Sequence, residues 1–305
     1  MLAPMSVIST SGSTSMRGKV CIVTGSNTGI GEETALGLAK LGATVVMVCR
    51  DRAKGEASAE KIAKRTGNAA VSLMVADLAS QAQIRRLAAD FLAGRAGAPA
   101  VGAGGPRLDV LVHNAAAILP ERRLSVDGLE MQFAVNHLAP FLLTHLLREV
   151  LVASAPSRVV VVASQVESRG TIQLDDLQSE KGYTPLGAYF QSKLANVLFT
   201  YELARRLEGT GVTANCLHPG VIATNLLSDY MGKPRAVGFL SRLTHPGPDK
   251  GARTSLRLAT DPTLATVSGK YYKEGVESRT GKTSYDTELA ARLWKVSEEL
   301  TGLAT

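Results

Sequence analysis

The chain has 305 residues, of which 45% are hydrophobic and 20% charged, which suits a globular protein with one large core or two smaller ones. Its net charge of +7 comes from lysines and arginines scattered without a long basic block, which argues against a nucleic-acid-binding protein. No apolar run approaches the ~20 residues of a membrane-spanning helix, so we expect no transmembrane segment.

Segments with the apolar pattern of buried strands alternate with segments of helical pattern along nearly the whole chain. The predicted strands are 20–24, 44–49, 71–75, 108–113, 158–164 and 212–217. The predicted helices are 30–41, 51–65, 81–92, 129–153 and 186–207, and a shorter pair of apolar elements lies near 269–272 and 286–300. Parallel strands need crossover connections, and these are almost always right-handed. The alternation therefore predicts an α/β fold with a Rossmann-type doubly wound parallel sheet, in a three-layer αβα single domain.

The amino-terminal segment differs from the rest in composition. Residues 1–16 are rich in Ser, Thr and Met and contain no charged side chain, which predicts a disordered tail before a single domain over residues 17–302. The segment lacks the basic start and continuous apolar core of a secretory signal, and we expect a cytoplasmic protein. Organelle targeting by this tail stays open, because it lacks acidic residues but also lacks arginines.

Two internal segments also lack the regular pattern. Residues 94–107 are rich in Gly, Ala and Pro, which predicts a flexible surface loop. Residues 222–248 mix apolar side chains with Gly and Pro, which predicts a lid over an apolar substrate. A pair of helices that merely packs on the domain would have a similar composition.

The three cysteines, Cys21, Cys49 and Cys216, are odd in number and far apart, which favours buried free thiols in a reducing compartment. Neither they nor the histidines show the spacing of metal ligands, so no metal site is predicted.

Three glycines mark the junction between the first predicted strand and helix. Gly25, Gly29 and Gly31 have the spacing G-x-x-x-G-x-G within the sequence TGSNTGIG. A helix amino terminus offers unpaired N–H groups and a partial positive charge, and glycines let a phosphate approach them closely. A turn of purely structural use would also contain glycines.

A tyrosine and a lysine are spaced by one helical turn on the predicted helix 186–207. Tyr189 and Lys193 are expected on one face, because side chains at i and i+4 are neighbours. The lysine charge favours tyrosinate and so lowers the tyrosine pKa towards neutral pH, which makes Tyr189 a candidate acid/base. Such a pair alone can also be an ordinary surface contact. Ser164 ends the preceding predicted strand and could stabilise charge on a substrate oxygen.

In this order, the glycine turn, Ser164 and the Tyr-x-x-x-Lys motif resemble the classical branch of the short-chain dehydrogenase/reductase family. The resemblance extends over residues 17–300 and is greatest to the retinol dehydrogenase-like and WW-domain-oxidoreductase-like subgroup. It implies a catalytic set of Asn136, Ser164, Tyr189 and Lys193, in which Lys193 also holds the nicotinamide ribose and Asn136 holds a water.

The resemblance also implies the residues that bind the cofactor. In the family, the segment matching Asp77 and Leu78 holds the adenine, and the segment matching Asn114 and Ala115 passes along the cofactor. Here His113 and Ala116 replace the family's first Asn and its Gly. The remaining implied positions, besides Tyr189 and Lys193, are those of the glycine turn and of the segment along the nicotinamide: Gly25, Ser26, Asn27, Thr28, Gly29, Ile30 and Gly31, and Pro219, Gly220, Val221, Ile222 and Thr224.

The end of the second predicted strand decides between NAD(H) and NADP(H). A carboxylate there would bind the ribose diol and repel a 2′-phosphate. The sequence instead has Cys49 followed by Arg50, whose guanidinium can bind a phosphate bidentately. We therefore expect NADP(H), although Arg50 could be an ordinary solvated charge and Asp51 keeps NAD(H) possible.

These observations predict an NADP(H)-dependent oxidoreductase that interconverts an alcohol and a carbonyl on a small or lipophilic substrate, such as a retinoid, steroid or aldehyde, by hydride transfer. The family implies a homodimer or homotetramer. One alternative is a catalytically silent NADP(H)-binding sensor, which would not need the four catalytic residues. A nucleotide-sugar epimerase or dehydratase is disfavoured by the glycine spacing. His113 is expected to pack or hydrogen-bond rather than catalyse, and Trp294 to pack in a core or interface.

Overall fold

The computed structural model describes residues 14–95, 106–220 and 247–303. Within these residues, eight strands form one sheet in the order β3-β2-β1-β4-β5-β6-β7-β8, parallel except for β8, which runs antiparallel to β7. The strands are β1 Val20–Thr24, β2 Thr44–Cys49, β3 Val71–Val75, β4 Val110–His113, β5 Ser157–Val162, β6 Val212–His218, β7 Tyr271–Lys273 and β8 Val276–Ser278. Strands β2 and β3 lie on one side of β1, and β4 to β8 lie on the other. The direction in which strands are added therefore reverses between β1 and β4.

Helices cover both faces of this sheet. They are α1 Gly29–Lys40, α2 Arg52–Thr66, α3 Gln81–Leu92, α4 Met131–Phe133, α5 Ala139–Leu146, α6 Arg148–Ala153, α7 Pro185–Arg206, α8 Pro248–Thr260 and α9 Thr287–Leu300. Side chains of α1, α2 and α8 share one apolar core with the sheet, and those of α3, α5, α6, α7 and α9 share the other. The predicted three-layer αβα single domain is therefore confirmed.

The sequence reads as continuous apolar runs in the central strands because both faces of these strands are buried. Every residue of β1 and β2 is buried, and their side chains alternate between the two cores. Burial on both sides stabilises the sheet by roughly 25 cal/mol for each Å² of apolar surface removed from water. The bounds of β1, β2, β3 and α3 agree with the prediction.

The predicted continuous helix 129–153 is wrong. The segment consists of α4, a π-helical turn over Ala134–Leu138, α5 and α6. Pro140 lacks the N–H that an α-helix would direct at the carbonyl of Asn136, which favours the wider turn there. At Leu147 the backbone leaves helical geometry (φ −101°, ψ 5°), which separates α5 from α6.

Several other features of the fold differ from the expectation. Strand β5 ends at Val162 instead of Ser164, and Ser164 begins a 3₁₀ turn over Gln165–Arg169. Helix α8 and strand β8 were not predicted. Met16, placed in the predicted tail, is 5% exposed, packs in the core beneath α1, and donates its N–H to the Leu41 carbonyl at 2.8 Å.

Other expectations lie largely outside the described residues. Residues 1–13 of the tail, 96–105 of the predicted loop and 222–246 of the predicted lid are not described. Pro248, the last residue of the predicted lid, is the first residue of α8. In the described parts of the chain, no helix is both long and apolar enough to cross a membrane.

Candidate active site

Helix α1 begins in the glycine turn, and its amino terminus is open. Thr28 is the N-cap residue with extended backbone (φ −157°, ψ 160°), and no side chain of a described residue caps the helix. Gly29 follows at φ 62°, and a Cβ built on it would meet no described atom within 4 Å. The N–H groups of the first turn are therefore accessible and partly positive, which fits the diphosphate of a dinucleotide.

Gly25 and Gly31, in contrast to Gly29, let neighbouring parts of the chain pack closely against the turn. A Cβ on Gly25 would lie 2.8 Å from the Cα of Ala115, and one on Gly31 would overlap the Gly25 carbonyl and the Asn114 amide. The Asn114 Nδ2 donates to the carbonyls of Thr24 at 2.9 Å and Gly25 at 3.1 Å. The turn is thus fixed against the end of β4, at the point where the strand order reverses.

Thr24 also helps to build this junction, a role that was not predicted from the sequence. Its Oγ1 accepts hydrogen bonds from the backbone N–H groups of Asn114 at 3.0 Å and Ala115 at 3.2 Å. A hydroxyl side chain directly before the first glycine was the available signal. Ala116 follows on the same loop and is half-buried, in keeping with its expected place along the cofactor.

The residues at the end of β2 have different surroundings. Arg50 is exposed and forms no hydrogen bond or salt bridge with any described residue. Asp51 instead caps α2, accepting the Lys54 N–H at 3.1 Å and pairing with its ammonium at 2.9 Å. Ser26 is buried and accepts the Val48 N–H at 3.1 Å, so its hydroxyl stabilises the turn itself. The guanidinium that could bind a 2′-phosphate is therefore accessible, whereas the adjacent carboxylate is already paired.

The predicted adenine residues follow β3, on the far side of β2 from the glycine turn. The Asp77 Oδ1 accepts the Ala79 N–H at 3.0 Å, and the Asp77 N–H donates to the Gln83 side chain at 2.9 Å. Leu78 is half-buried and lines a small pocket with His113. Asn27 and Ile30 of the turn are half-buried, and Thr28 is exposed. These residues fit the adenosine half of a dinucleotide.

Ser164 and Tyr189 are brought together by the 3₁₀ turn after β5 and the first turns of α7. Burial raises the pKa of Tyr189 to about 12, and a hydrogen bond with the Ser164 side chain lowers it. Ser164 is 9% exposed, and its Oγ also accepts the Val166 N–H at 3.4 Å. The phenol is therefore neutral at neutral pH, ready to donate a proton.

Lys193 lies one helical turn after Tyr189 and is almost completely buried, at 2% exposure. Its Nζ donates to the Val162 carbonyl at 3.0 Å and lies 5.5 Å from the centroid of the Tyr189 ring. Burial lowers the pKa of Lys193 to about 8. The expected lowering of the Tyr189 pKa is absent from the described structure, because burial of the phenol dominates.

Asn136 lies in the π-helical turn, and its side chain holds neighbouring elements together. Its Oδ1 accepts the Ala117 N–H at 2.7 Å, and its Nδ2 donates to the Ala117 carbonyl at 2.9 Å and the Ser192 Oγ at 3.0 Å. The Ser192 Oγ donates in turn to the Tyr189 carbonyl at 2.8 Å. Asn136 is thereby joined to the helix that carries the tyrosine. Ser192 was also missed, although its place beside Lys193 was a signal.

The expected nicotinamide segment is described only at its start. His218 ends β6, and Pro219 and Gly220 follow it, with Gly220 at φ 93°. Val221, Ile222 and Thr224 lie outside the described residues. The strand places Pro219 and Gly220 at the same edge of the sheet as Ser164.

His113, the three cysteines and Trp294 are buried in the interior of the protein. Burial lowers the pKa of His113 to about 3, and its Nε2 is hydrogen-bonded to the Thr144 hydroxyl at 2.7 Å, as expected for a packing histidine. All three cysteines are free and buried, as predicted. Trp294 packs in the apolar core. Within the described ranges, no group of three or more His, Cys, Asp or Glu side chains could hold a metal ion.

Fold and site together define the class of this protein: an α/β oxidoreductase with a Rossmann-like sheet and a tyrosine–lysine pair beside an open helix terminus. A profile of the short chain dehydrogenases matches residues 19–233, more than half of the chain. The chain belongs to the short-chain dehydrogenase family.

Curated relatives place it near one subgroup. Human retinol dehydrogenase 14 is 41% identical over 305 residues, covering 94% of this chain and 88% of the relative. Human retinol dehydrogenase 11 is 43% identical over 288 residues, covering 94% and 86%. The chain is therefore retinol dehydrogenase-like, as the resemblance predicted.

Solved structures agree on the fold. An uncharacterized protein from Mycobacterium Paratuberculosis is 34% identical with a TM-score of 0.74, covering 95% of both chains. A protein from Beutenbergia cavernae, described as an NAD(P)-dependent gluconate 5-dehydrogenase with NADP bound at low occupancy, is 27% identical with a TM-score of 0.65. That similarity covers 85% of this chain and 96% of the other.

Proposed function

We propose that this chain is an NADP(H)-dependent oxidoreductase that interconverts an alcohol and a carbonyl on a lipophilic substrate. The observation that carries the proposal is the assembly of Ser164, Tyr189 and Lys193 at the carboxyl edge of the sheet. The open terminus of α1 lies at the same edge. A sensor that only binds the dinucleotide would not need the three catalytic side chains.

The cofactor preference rests on the end of β2. Arg50 offers an unpaired guanidinium to a 2′-phosphate, whereas Asp51 is occupied as the cap of α2. The related protein from Beutenbergia cavernae was found with NADP. When bound, the nicotinamide supplies or accepts the hydride. We propose that Gly25 to Gly31 hold the diphosphate, and that Asp77, Leu78 and Asn114 to Ala116 contact the adenosine half and its linker.

The protein's own part of the reaction is binding, orientation and proton transfer. Ser164 donates a hydrogen bond to the substrate oxygen and stabilises charge that develops there. Neutral Tyr189 gives its proton to that oxygen during reduction, and in the oxidation direction the phenolate accepts it. Lys193 stabilises the phenolate and holds the nicotinamide ribose.

Asn136 supplies the link to solvent. Both ends of its side chain are engaged, so the expected water would bind its main-chain carbonyl, to which Pro140 cannot donate. This water would restore the proton to Tyr189 through Lys193.

The substrate class follows from the relatives. They are named retinol dehydrogenases, and they cover 94% of this chain. We propose a retinoid, steroid or long-chain aldehyde as the substrate, with residues 222–248 as the lid. We also propose a cytoplasmic location, which the three free thiols support.

We propose that the chain assembles as a homodimer or homotetramer. A homodimer or homotetramer of this family would use α7, but here α9 packs against α7, with Trp294 stacked on Phe199 at 5.9 Å between ring centroids. Light scattering after size exclusion would give the mass in solution.

The test is a panel of retinal, a steroid ketone and an aliphatic aldehyde, assayed with NADPH and NADH by absorbance of the reduced nicotinamide. We expect turnover with NADPH, and a Tyr189→Phe variant that is at least about 100-fold slower while NADPH still binds. Tyr285→Phe, which changes an exposed tyrosine, serves as the matched control. Full activity of Tyr189→Phe would refute the acid/base assignment, and NADPH binding without any turnover by the wild type would favour the sensor.

A further inference from the structure

A cavity of about 330 Å³ lies between α5, α7 and α9. Its floor is aromatic: the ring centroids of Phe141 and Trp294 are 4.8 Å apart, and those of Phe199 and Trp294 are 5.9 Å apart. Leu203 extends this apolar floor. Ligand sites of about 300–1,000 Å³ with mostly apolar walls are the usual size for small molecules. The floor can therefore bury the hydrocarbon part of a small ligand.

Two arginines stand at the rim of this cavity. The Arg206 guanidinium lies 4.3 Å from the centroid of the Trp294 ring, and its Nε donates to Glu202 at 2.7 Å. Arg148 is exposed and forms no salt bridge or hydrogen bond with any residue that the structure describes. One guanidinium is thus held over the aromatic floor, and the other has no acidic partner.

The other titratable groups at the rim do not cancel this charge. Burial lowers the pKa of His145. Glu298 raises this pKa and Arg148 and Arg85 lower it, and the net shift is downwards, so the imidazole is neutral at neutral pH. The Glu298 carboxylate accepts the Trp294 Nε1–H at 2.7 Å. Glu202, which does not line the cavity, is shared by Arg205 and Arg206. The three guanidiniums of Arg148, Arg205 and Arg206 therefore face the two carboxylates of Glu202 and Glu298, which leaves the rim positive.

The cavity is separate from the catalytic residues. Tyr189 lies near the start of α7 and Leu203 near its end. At 1.5 Å per residue, these two positions are roughly 21 Å apart along the helix axis. A ligand in the cavity would therefore leave the proposed substrate and nicotinamide positions unoccupied.

We propose that this cavity binds an amphipathic carboxylate, with its hydrocarbon chain on the aromatic floor and its carboxylate between Arg148 and Arg206. A guanidinium binds a carboxylate through two parallel hydrogen bonds, which neither an alcohol nor an ammonium can form. The floor supplies affinity for the chain, and the rim selects its charge. This site is independent of the proposed function.

Trp294 is the only tryptophan in the chain, so its fluorescence reports on the cavity directly. The probe is octanoate below its micelle concentration, titrated into the full-length protein with and without saturating NADP⁺. We expect a saturable change in fluorescence that NADP⁺ does not compete away. Octan-1-ol should bind about three- to ten-fold more weakly because it lacks the charge, and octylammonium more weakly still.

Variants of Arg148 test whether the charge at the rim determines octanoate binding, separately from any effect on folding. Arg148→Ala should weaken octanoate binding about three- to ten-fold, and Arg148→Glu should reverse the preference in favour of octylammonium. Arg292→Ala, an exposed arginine on α9 that does not line the cavity, is the matched control and should bind octanoate like the wild type. Circular dichroism would show that each variant is folded.

Several results would overturn the proposal. These are no saturable fluorescence change, competition by NADP⁺, equal affinity for octanoate and octan-1-ol, or no effect of Arg148→Glu. Light scattering that shows a stable dimer, together with a Trp294 signal that follows protein concentration and ignores octanoate, would assign the cavity to a second copy of the chain instead.

Discussion

The polar groups at the two ends of the parallel sheet differ in whether they have partners within the protein. At the amino ends of β1 and β4, the Asp109 carboxylate accepts hydrogen bonds from Lys19 at 2.8 Å, Arg107 at 2.7 Å and the Val20 N–H at 2.9 Å. At the carboxyl ends, α1 has no side-chain cap and Lys193 has no acidic partner among the described residues. Polar groups are thus satisfied by the protein at one end and left for a ligand at the other.

The pKa values follow this difference. Burial raises the pKa of Asp109, but the hydrogen bonds from Arg107 and Lys19 more than offset it, so the pKa lies below its usual value. Lys193 is also buried and has only a carbonyl oxygen as its described partner, so its pKa is lowered to about 8. The cost of burying a charged group is thus offset by hydrogen bonds and opposite charges at Asp109, whereas no opposite charge offsets it at Lys193.

Gly31→Ala should have the largest effect, because it closes the open end. The added Cβ would overlap the Gly25 carbonyl and the Asn114 amide, which displaces the phosphate turn. We expect NADPH affinity to fall at least about 100-fold and the free energy of unfolding to fall by about 1–3 kcal/mol. Calorimetric titration and thermal unfolding measure the two effects.

The control for this variant is Gly182→Ala, whose Cβ would meet no described atom within 4 Å. It should bind NADPH like the wild type. Unchanged NADPH affinity in Gly31→Ala would show that the glycine turn is not the cofactor site.

Asp109→Ala tests the structural end. The change leaves Lys19 and Arg107 unpaired and the Val20 N–H without its acceptor, so the free energy of unfolding should fall by about 3 kcal/mol. NADPH affinity at a temperature where the variant is folded should not change. Asp109→Asn keeps an acceptor for Val20 and should lose less stability. A loss of NADPH affinity comparable to that of Gly31→Ala would contradict the separation of the two ends.

Lys193 should make the stability depend on pH in a specific direction. Its pKa of about 8 in the folded protein lies below the 10.5 of an ordinary lysine, so the unfolded chain binds more protons between these pH values. This group therefore adds stability as the pH rises from about 8 towards 10.5, with a total of about 3 kcal/mol. Below pH 8 its contribution is constant and unfavourable.

Chemical denaturation of the wild type and Lys193→Met across this range isolates the effect from other titrating groups. The unfolding free energy of the wild type relative to the variant should increase as the pH rises. A difference that does not vary with pH would mean that Lys193 titrates normally.

Arg50→Ala should have the smallest effect. Losing one accessible guanidinium should weaken NADPH binding about tenfold and leave NADH binding unchanged, since only NADPH carries the 2′-phosphate. Arg52→Ala, which removes an exposed arginine paired with Glu56, is the control. Equal losses for both cofactors in Arg50→Ala would argue against a 2′-phosphate site.

The sequence predicted the sheet well where local pattern and burial agree. Strands β1 and β2 are buried on both faces, so their apolar runs have clear ends. Prediction failed where a local break interrupts a helical pattern, as at Pro140 and Leu147. It also missed α8, because its 13 residues carry few apolar side chains and its contacts are with distant segments.

The candidate site was found from motifs, but not its hydrogen bonds. Tyr189 and Lys193 were predictable because one helical turn separates them. The roles of Thr24 and Ser192 depend on Asn114 and Asn136, which are far away in the sequence. A local sequence pattern does not indicate which distant amide a hydroxyl group will form a hydrogen bond with.

By itself, the sequence determined the αβα fold, the glycine turn at the first helix and the tyrosine–lysine spacing, because each depends on residues close together in the chain. Only the tertiary structure decided which polar groups are paired, that burial raises the pKa of Tyr189, and that Phe141, Phe199 and Trp294 enclose a cavity. These properties depend on packing between distant segments, since desolvation and hydrogen bonding are set by whatever the fold places next to each group.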